Sequence, residues 1–328
     1  MSARIGLLPG DPSGIGPEIV ARLLSEDIVE GANVLLIGDQ HVFELGQAQA
    51  EISHPLTPLD ATQGDWTGAD RFALHRMETI VPGELIVAQN TEASGRSTLR
   101  VLDEALRLSQ KGVIDAVVFA PFNKASMHMA GIGHSGELHY IADLLGVRGH
   151  VSELNTVDGL WTGRVTSHIA LRDVANHIDA DGIRKSVRLI DRTLRRAGYA
   201  RPRIAVAALN PHAGDGGNFG REEIDVIAPA VRELAAEKLA VEGPLPSDTV
   251  FLKAQRGEVD AVVTMYHDQG QIALKLLGFD RGVTVHGGLP LPLTTPAHGS
   301  AFDIAGKGRA DVGAIRAAFA VARDLVSN

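Results

Sequence analysis

The chain has 328 residues, 45% of them hydrophobic, with 31 Lys and Arg against 40 Asp and Glu for a net charge of −9, and no cysteine. That hydrophobic share supports a large buried core, most simply in two domains, and excludes a disordered chain. The acidic balance argues against a nucleic-acid partner, the lack of an uncharged apolar run of about 18 residues excludes a membrane-spanning helix, and without thiols there is neither a disulfide nor a thiolate metal site. The start of the chain passes from Met-Ser-Ala-Arg into strand-like IGLL with no signal-peptide core, so a cytoplasmic address is expected.

In chain order, RIGLL (4–8) predicts a first strand, followed by the small-residue loop GDPSGIG (10–16) and a helix PEIVARLLSE (17–26) opening on Pro17. NVLLIG (33–38) is a second strand, RSTLRVLDEALRLSQKG (96–112) a helix and DAVVFA (115–120) a strand running into the PFNK turn that holds Lys124. RVTSHIAL (164–171) is expected as a strand carrying His168, and 181–198 as a helix with Ile183, Val187, Ile190 and Leu194 on one face and Arg184, Lys185, Arg188, Arg192 and Arg195 left for solvent. RIAVAAL (203–209) is a strand leading to His212, 222–238 a helix, and DAVVTMY (260–266) a strand running straight into His267 and Asp268. GVTVHG (282–287) is a strand, and the Gly-rich loop AHGSAFDIAGKGRAD (297–311) precedes a last helix at 311–326. Strands alternating with helices predict an α/β fold with a largely parallel sheet, and ligands bind beyond the carboxyl ends of such strands.

Three of the thirteen histidines, His168, His212 and His267, fall where a strand meets a loop. Three imidazoles with open positions make a catalytic rather than a structural metal site, and their separation in sequence means that only strand ends could assemble one. Taken singly, each is more often a satisfied core or turn histidine than a ligand. The 297–311 loop lets backbone amides approach a phosphate or an adenosine, although neither a Rossmann nor a Walker A pattern is present. GDPSGIG reads either as a second ligand loop or as a plain strand-to-helix turn.

GDPSGIGPEI (10–19), APFNKASMHMAG (120–131), VTSHIALRDV (165–174), LNPHAGDGG (209–217), GPLPSDTVF (243–251), MYHDQGQIALKLLGF (265–279) and HGSAFDIAGKGRADVG (298–313), in order over nearly the whole chain, resemble the 4-hydroxythreonine-4-phosphate dehydrogenase (PdxA) family. The resemblance implies a two-domain fold like that of isocitrate and isopropylmalate dehydrogenases, with the active site in the interdomain cleft. We expect residues 1–124 with 285–328 as the cofactor-side domain and 125–284 as the metal, substrate and dimerisation domain. It further implies NAD or NADP held by His298, Gly299, Ser300, Ala301, Asp303 and Gly10, and one divalent ion (Zn, Mg, Mn or Co) on His168, His212 and His267. A homodimer sharing its active site would supply one of those ligands from the second subunit. Asp248, Asp268, Lys275 and Lys124 match positions facing a small carboxylate substrate, whose secondary alcohol would be oxidised and whose keto acid would lose CO₂.

The departures bear on the substrate. Where phosphate-using members carry Gly-His-Thr, this chain has Gly136-Glu137-Leu138; Leu293 replaces their Arg, Thr284 their Asn, and His286 is new. Losing His and Arg removes positive charge and bidentate donors from a phosphate pocket. The expectation is therefore an unphosphorylated substrate; the same losses are similar to the branch of the family that oxidises the cis-dihydrodiol of terephthalate, a dicarboxylate, and His286 reads either as a structural strand-end histidine or as a partner for a substrate carboxylate. The alternatives are the family's own phosphate-ester reaction and an inactive ligand-binding relative.

Overall fold

The computed structural model describes residues 2–63, 66 and 72–327. Along the chain run β1 (Ala3–Leu8), α1 (Gly16–Leu23), β2 (Ala32–Asp39), α2 (Gln40–Ala50), β3 (Thr57–Leu59), β4 (Phe72–Met77), α3 (Glu92–Gln110), β5 (Ala116–Phe119), α4 (Lys124–Met129) and α5 (Glu137–Leu144). They continue with β6 (Ser152–Val157), β7 (Leu160–Arg164), α6 (Ala180–Arg196), β8 (Arg203–Ala207), α7 (Ala228–Ala236), β9 (Ala240–Leu245), α8 (Val250–Gln255), β10 (Ala261–Thr264), α9 (His267–Gly278), β11 (Val283–Gly287), β12 (Leu293–Pro296) and α10 (Gly313–Ser327).

Two compact units emerge, one running up to Gly149 and completed by Leu289–Ser327, the other spanning His150–Gly288. The first crossing therefore lies later than residue 124. The reason is that α4 docks on α3 so closely that a Cβ on Gly95 would stand 1.9 Å from the Ser126 carbonyl oxygen. Leu99, Met127 and Ile132 then close a small core over that contact.

In the first unit the strands lie in the order β3-β4-β2-β1-β5-β12, all parallel. Helices cover both faces of such a sheet, which is why β1 and β5 are largely apolar runs and β12, although it carries Thr294 and Thr295, is buried throughout. The second unit has the order β11-β6-β7-β10-β8-β9, with β6 antiparallel to both neighbours and β7, β10, β8 and β9 parallel. Asp158 and Gly159, both at positive φ, turn β6 into β7. That Asp-Gly pair is the usual two-residue hairpin signal.

The hairpin moves the strand expected at 164–171. β7 ends at Arg164, and 165–170 is a loop whose first residues stay tied to the end of β10, Val165 N–H donating to Thr264 O and Thr166 N–H to Met265 O. The helix expected at 222–238 is also interrupted. Residues 223–227 form a wider π turn before α7, because Pro229 has no N–H to continue the ordinary ladder. α6 follows its pattern: Asp179 accepts the Gly182 N–H at its start, and Ile183, Val187, Ile190 and Leu194 are buried. Its basic face is partly neutralised by the next helix, Arg184 pairing with Glu233 and Arg188 with Glu237.

Candidate active site

In the second unit four parallel strands deliver the expected residues to one edge. Ser167 and His168 follow β7, His267 and Asp268 follow β10, His212 follows β8, and Asp248 follows β9. The His168 and His267 rings are 5.3 Å apart, centre to centre. Each ring is oriented from its other side, His168 Nδ1 by Ser167 Oγ at 3.0 Å and His267 Nδ1 by Asp268 Oδ1 at 3.0 Å. An ion held at about 2.1 Å by two imidazoles at a tetrahedral angle sets their ring centres roughly 5 Å apart. The pair therefore fits a shared divalent ion, and an oxygen partner on the remaining ring nitrogen is the usual company of metal-bound histidine.

His212 is not brought to that pair. Among the described residues no group of three His, Cys, Asp or Glu could hold a metal ion. His212 instead opens a left-handed turn in which His212, Ala213, Gly214, Asp215 and Gly216 all have positive φ. The three non-glycine residues cost about 1 kcal/mol each in that conformation. The buried carboxylate of Glu223 braces the turn's base, accepting from Leu209 N–H at 2.8 Å, Asn210 N–H at 2.7 Å and Asn210 Nδ2 at 3.0 Å. Backbone held in such a strained form often marks a working site.

Behind the histidine pair lies a polar network that composition could not reveal. The buried Arg164 guanidinium pairs with Glu153, donates to Asn155 Oδ1 at 2.9 Å and to Ser167 Oγ at 3.1 Å. Burial pushes its pKa down from the ordinary arginine value, and Glu153 opposes that. Gln271 of α9 donates to the same Asn155 oxygen at 2.6 Å, and Asn155 Nδ2 donates to Thr284 at 2.9 Å. Gln269 completes the frame, accepting from Met265 N–H and donating to Ala208 O, so the start of α9 is tied to the end of β8.

In the first unit the Gly-rich loop meets the loop after β1. Ile15 N–H donates to Ser300 O at 3.0 Å, Asn123 Nδ2 reaches Ser300 Oγ at 3.2 Å, and a Cβ on Gly14 would collide with Ser300 at 2.7 Å. Gly10 has φ +71 and no room for a Cβ beside the Ala120 carbonyl, so only glycine fits there. Ala301 is also left-handed, and Glu18 of α1 fixes the far end by accepting the Ala310 N–H. His298 bonds the neighbouring Gly299 carbonyl, while Asp303 is exposed. Small residues and exposed backbone suit a nucleotide at this loop.

Asp11, in the same loop after β1, is wholly buried, with Oδ1 accepting the Ser13 N–H. Burial pushes its carboxyl up to about 6 against the lowering effect of Ser13 and Ser126. The sequence reading missed Asp11 because solvent exclusion cannot be read from a local motif.

The residues expected to line a substrate pocket are scattered in environment. Leu138, His286 and Leu293 are 6, 2 and 0% exposed, so the structure places them as core positions rather than a solvent-open lining. Inward-facing strand positions explain His286 and Leu293. Glu137 starts α5, Thr284 is taken up by Asn155, and Asp248 and Lys275 are exposed. Lys124 heads α4 with Nζ 3.9 Å from where a Cβ on Gly136 would sit. Three residues before Gly136-Glu137-Leu138 stands Gly133-His134-Ser135, a Gly-His-hydroxyl run of the same chemistry as the family's Gly-His-Thr. His134 is held by the Ile132 carbonyl and Asp143, which together raise its pKa.

The model of the pyridoxal phosphate biosynthetic protein PdxA family matches residues 30–322. A Pseudomonas aeruginosa protein provisionally named 4-hydroxythreonine-4-phosphate dehydrogenase 2 is 50% identical over 97% of this chain and 96% of its own length. The D-threonate 4-phosphate dehydrogenase of Salmonella typhimurium is 40% identical over 93% of this chain and 94% of its own. Among solved structures, 4-hydroxythreonine-4-phosphate dehydrogenase from Klebsiella pneumoniae is 35% identical with a TM-score of 0.88, covering 100% of this chain and 99% of that one. A terephthalate 1,2-cis-dihydrodiol dehydrogenase from Burkholderia xenovorans LB400 stands further off, at 27% identity and a TM-score of 0.66 over 94% of each chain. With paired histidines at the carboxyl ends of β7 and β10 and a Gly-rich loop packed on the loop after β1, this chain belongs to the PdxA family of dehydrogenases.

Proposed function

We propose that this protein oxidises the secondary alcohol of a four-carbon hydroxy acid 4-phosphate, of the 4-hydroxythreonine or D-threonate type, using NAD(P) and a divalent metal ion and releasing CO₂. The observation that carries the reading is the His168–His267 pair at ion-sharing distance. The substrate class rests on the chain's greater identity to phosphate-ester dehydrogenases than to the dihydrodiol enzyme. The dicarboxylate expectation is withdrawn on that ground. Its main support, Leu293 in place of Arg, concerns a wholly buried side chain, and Gly133-His134-Ser135 supplies what Glu137-Leu138 lacked.

When bound, the ion contributes Lewis acidity toward the alcohol and carboxylate, and the nicotinamide a hydride acceptor. The chain's own part is orientation. Ser167 and Asp268 fix the two imidazoles. Lys124 beside Gly136, with His134 and Ser135 nearby in sequence, offers cationic and hydroxyl donors for a phosphate. Ser300, Ala301 and the Gly10 loop shape the nucleotide side. Oxidation of the alcohol on the carbon β to the carboxylate yields a β-keto acid, whose loss of CO₂ completes the turnover.

The third metal donor in this reading is His212 of a second copy, and Ile272 and Leu276 on α9 with Phe279 just beyond it, 61, 83 and 58% exposed, favour such a copy. The test is NADH or NADPH formation by metal-loaded protein on D-threonate 4-phosphate, 4-hydroxythreonine 4-phosphate and terephthalate dihydrodiol, each with and without chelator. Chelator-sensitive turnover of a phosphate ester is the expected result. Turnover of the diol alone would overturn the substrate assignment.

A further inference from the structure

The polar network behind the histidine pair has one member that reaches both sides of it, one directly through Ser167 and the other through Asn155. Arg164 closes β7 and is buried, with its side chain 6% exposed. Its Nε donates to Ser167 Oγ, and that oxygen lies 3.0 Å from His168 Nδ1. Its Nη1 donates to Asn155 Oδ1, the same oxygen that accepts from Gln271 Nε2 at 2.6 Å. Gln271 is four residues, about one turn, after His267 on α9, so it shares a helix face with that ring. Glu153 neutralises the cation from β6, and Ser186 Oγ donates to the Arg164 carbonyl oxygen from α6.

We propose that Arg164 is a positioning residue for the two-imidazole site: through Ser167 it sets the His168 ring, and through Asn155 and Gln271 it sets the turn of α9 that presents His267. The proposal rests on the reading that His168 and His267 hold the ion. Arginine suits the task because its planar fork spans two acceptors in fixed directions, which a lysine ammonium does not. With His168 Nδ1 against the Ser167 hydroxyl, Nε2 is the nitrogen turned toward an ion.

The test uses the full-length protein and Co²⁺ as probe, reading affinity by titration and ligand geometry from the visible absorption of the bound ion. H168A and H267A are measured alongside R164K, S167A, S167T and Q271L. Expected are losses of Co²⁺ affinity of about 10- to 100-fold in R164K, S167A and Q271L, with an altered cobalt spectrum, and recovery in S167T, whose hydroxyl replaces the lost one. Should R164K fail to fold, S167A decides, since it leaves the Arg164–Glu153 pair intact. If H168A and H267A lose Co²⁺ binding while S167A and Q271L bind it as tightly as the unaltered protein and with the same spectrum, the positioning role is overturned and the metal reading stands. If H168A and H267A bind Co²⁺ undiminished, both fall together.

Discussion

Asp11 shows how much one side chain can cost. Its carboxyl, ordinarily near 3.8, sits at about 6 in the folded protein because burial disfavours the charge. Between those values the folded state holds a proton that the unfolded chain has released, so stability falls as pH rises from about 4 to 6 and stays lower above that. A shift of that size is worth roughly 3 kcal/mol. D11N keeps the oxygen that accepts the Ser13 N–H but cannot ionise. Its stability relative to the unaltered protein should therefore rise by about 3 kcal/mol between pH 4 and pH 7, measured by urea unfolding at the two pH values. A difference independent of pH would show that Asp11 is not held protonated.

At the scale of elements, the turn 212–217 is held against its own backbone preference. Six successive positive-φ residues, 212–217, form no stable structure alone, and the Glu223 carboxylate satisfies the two main-chain amides at the turn's base. E223A leaves those amides without an acceptor and should cost roughly 3 kcal/mol in thermal or urea unfolding. E223Q keeps one acceptor oxygen and should cost about 1 kcal/mol. Equal effects would mean that charge, not geometry, does the bracing. The sequence marked this region by its glycines and His212, but the partner Glu223 reads in one dimension as an ordinary acidic residue near a helix start.

For the molecule as a whole, the proposed active site needs two copies. L276D places a charge in the exposed apolar stripe of α9 and should shift the protein toward monomer in sedimentation, with loss of turnover. Mixing H212A with H267A offers a sharper check. If His212 comes from one copy and the His168–His267 pair from the other, half the mixed population is hybrid and one of its two sites is whole, which restores roughly a quarter of normal activity. No restoration on mixing would place all three histidines within one chain.

Much was legible in the residues themselves. Apolar runs marked β1, β2, β5, β8, β10 and β11, the amphipathic pattern marked α6, and the motif blocks carried the family, because periodicity and short motifs are local properties. Other features depend on what lies beside a residue in space. The Asp158-Gly159 hairpin relocated β7 and put His168 in a loop, and the docking of α4 on Gly95 moved the unit boundary to Gly149. Only the tertiary structure paired His168 with His267, left His212 apart, buried Asp11 and Leu293, and joined Arg164 to both sides of the histidine pair. Exposure, distance and hydrogen-bond partnership arise between segments far apart in the chain, and no window of sequence contains them.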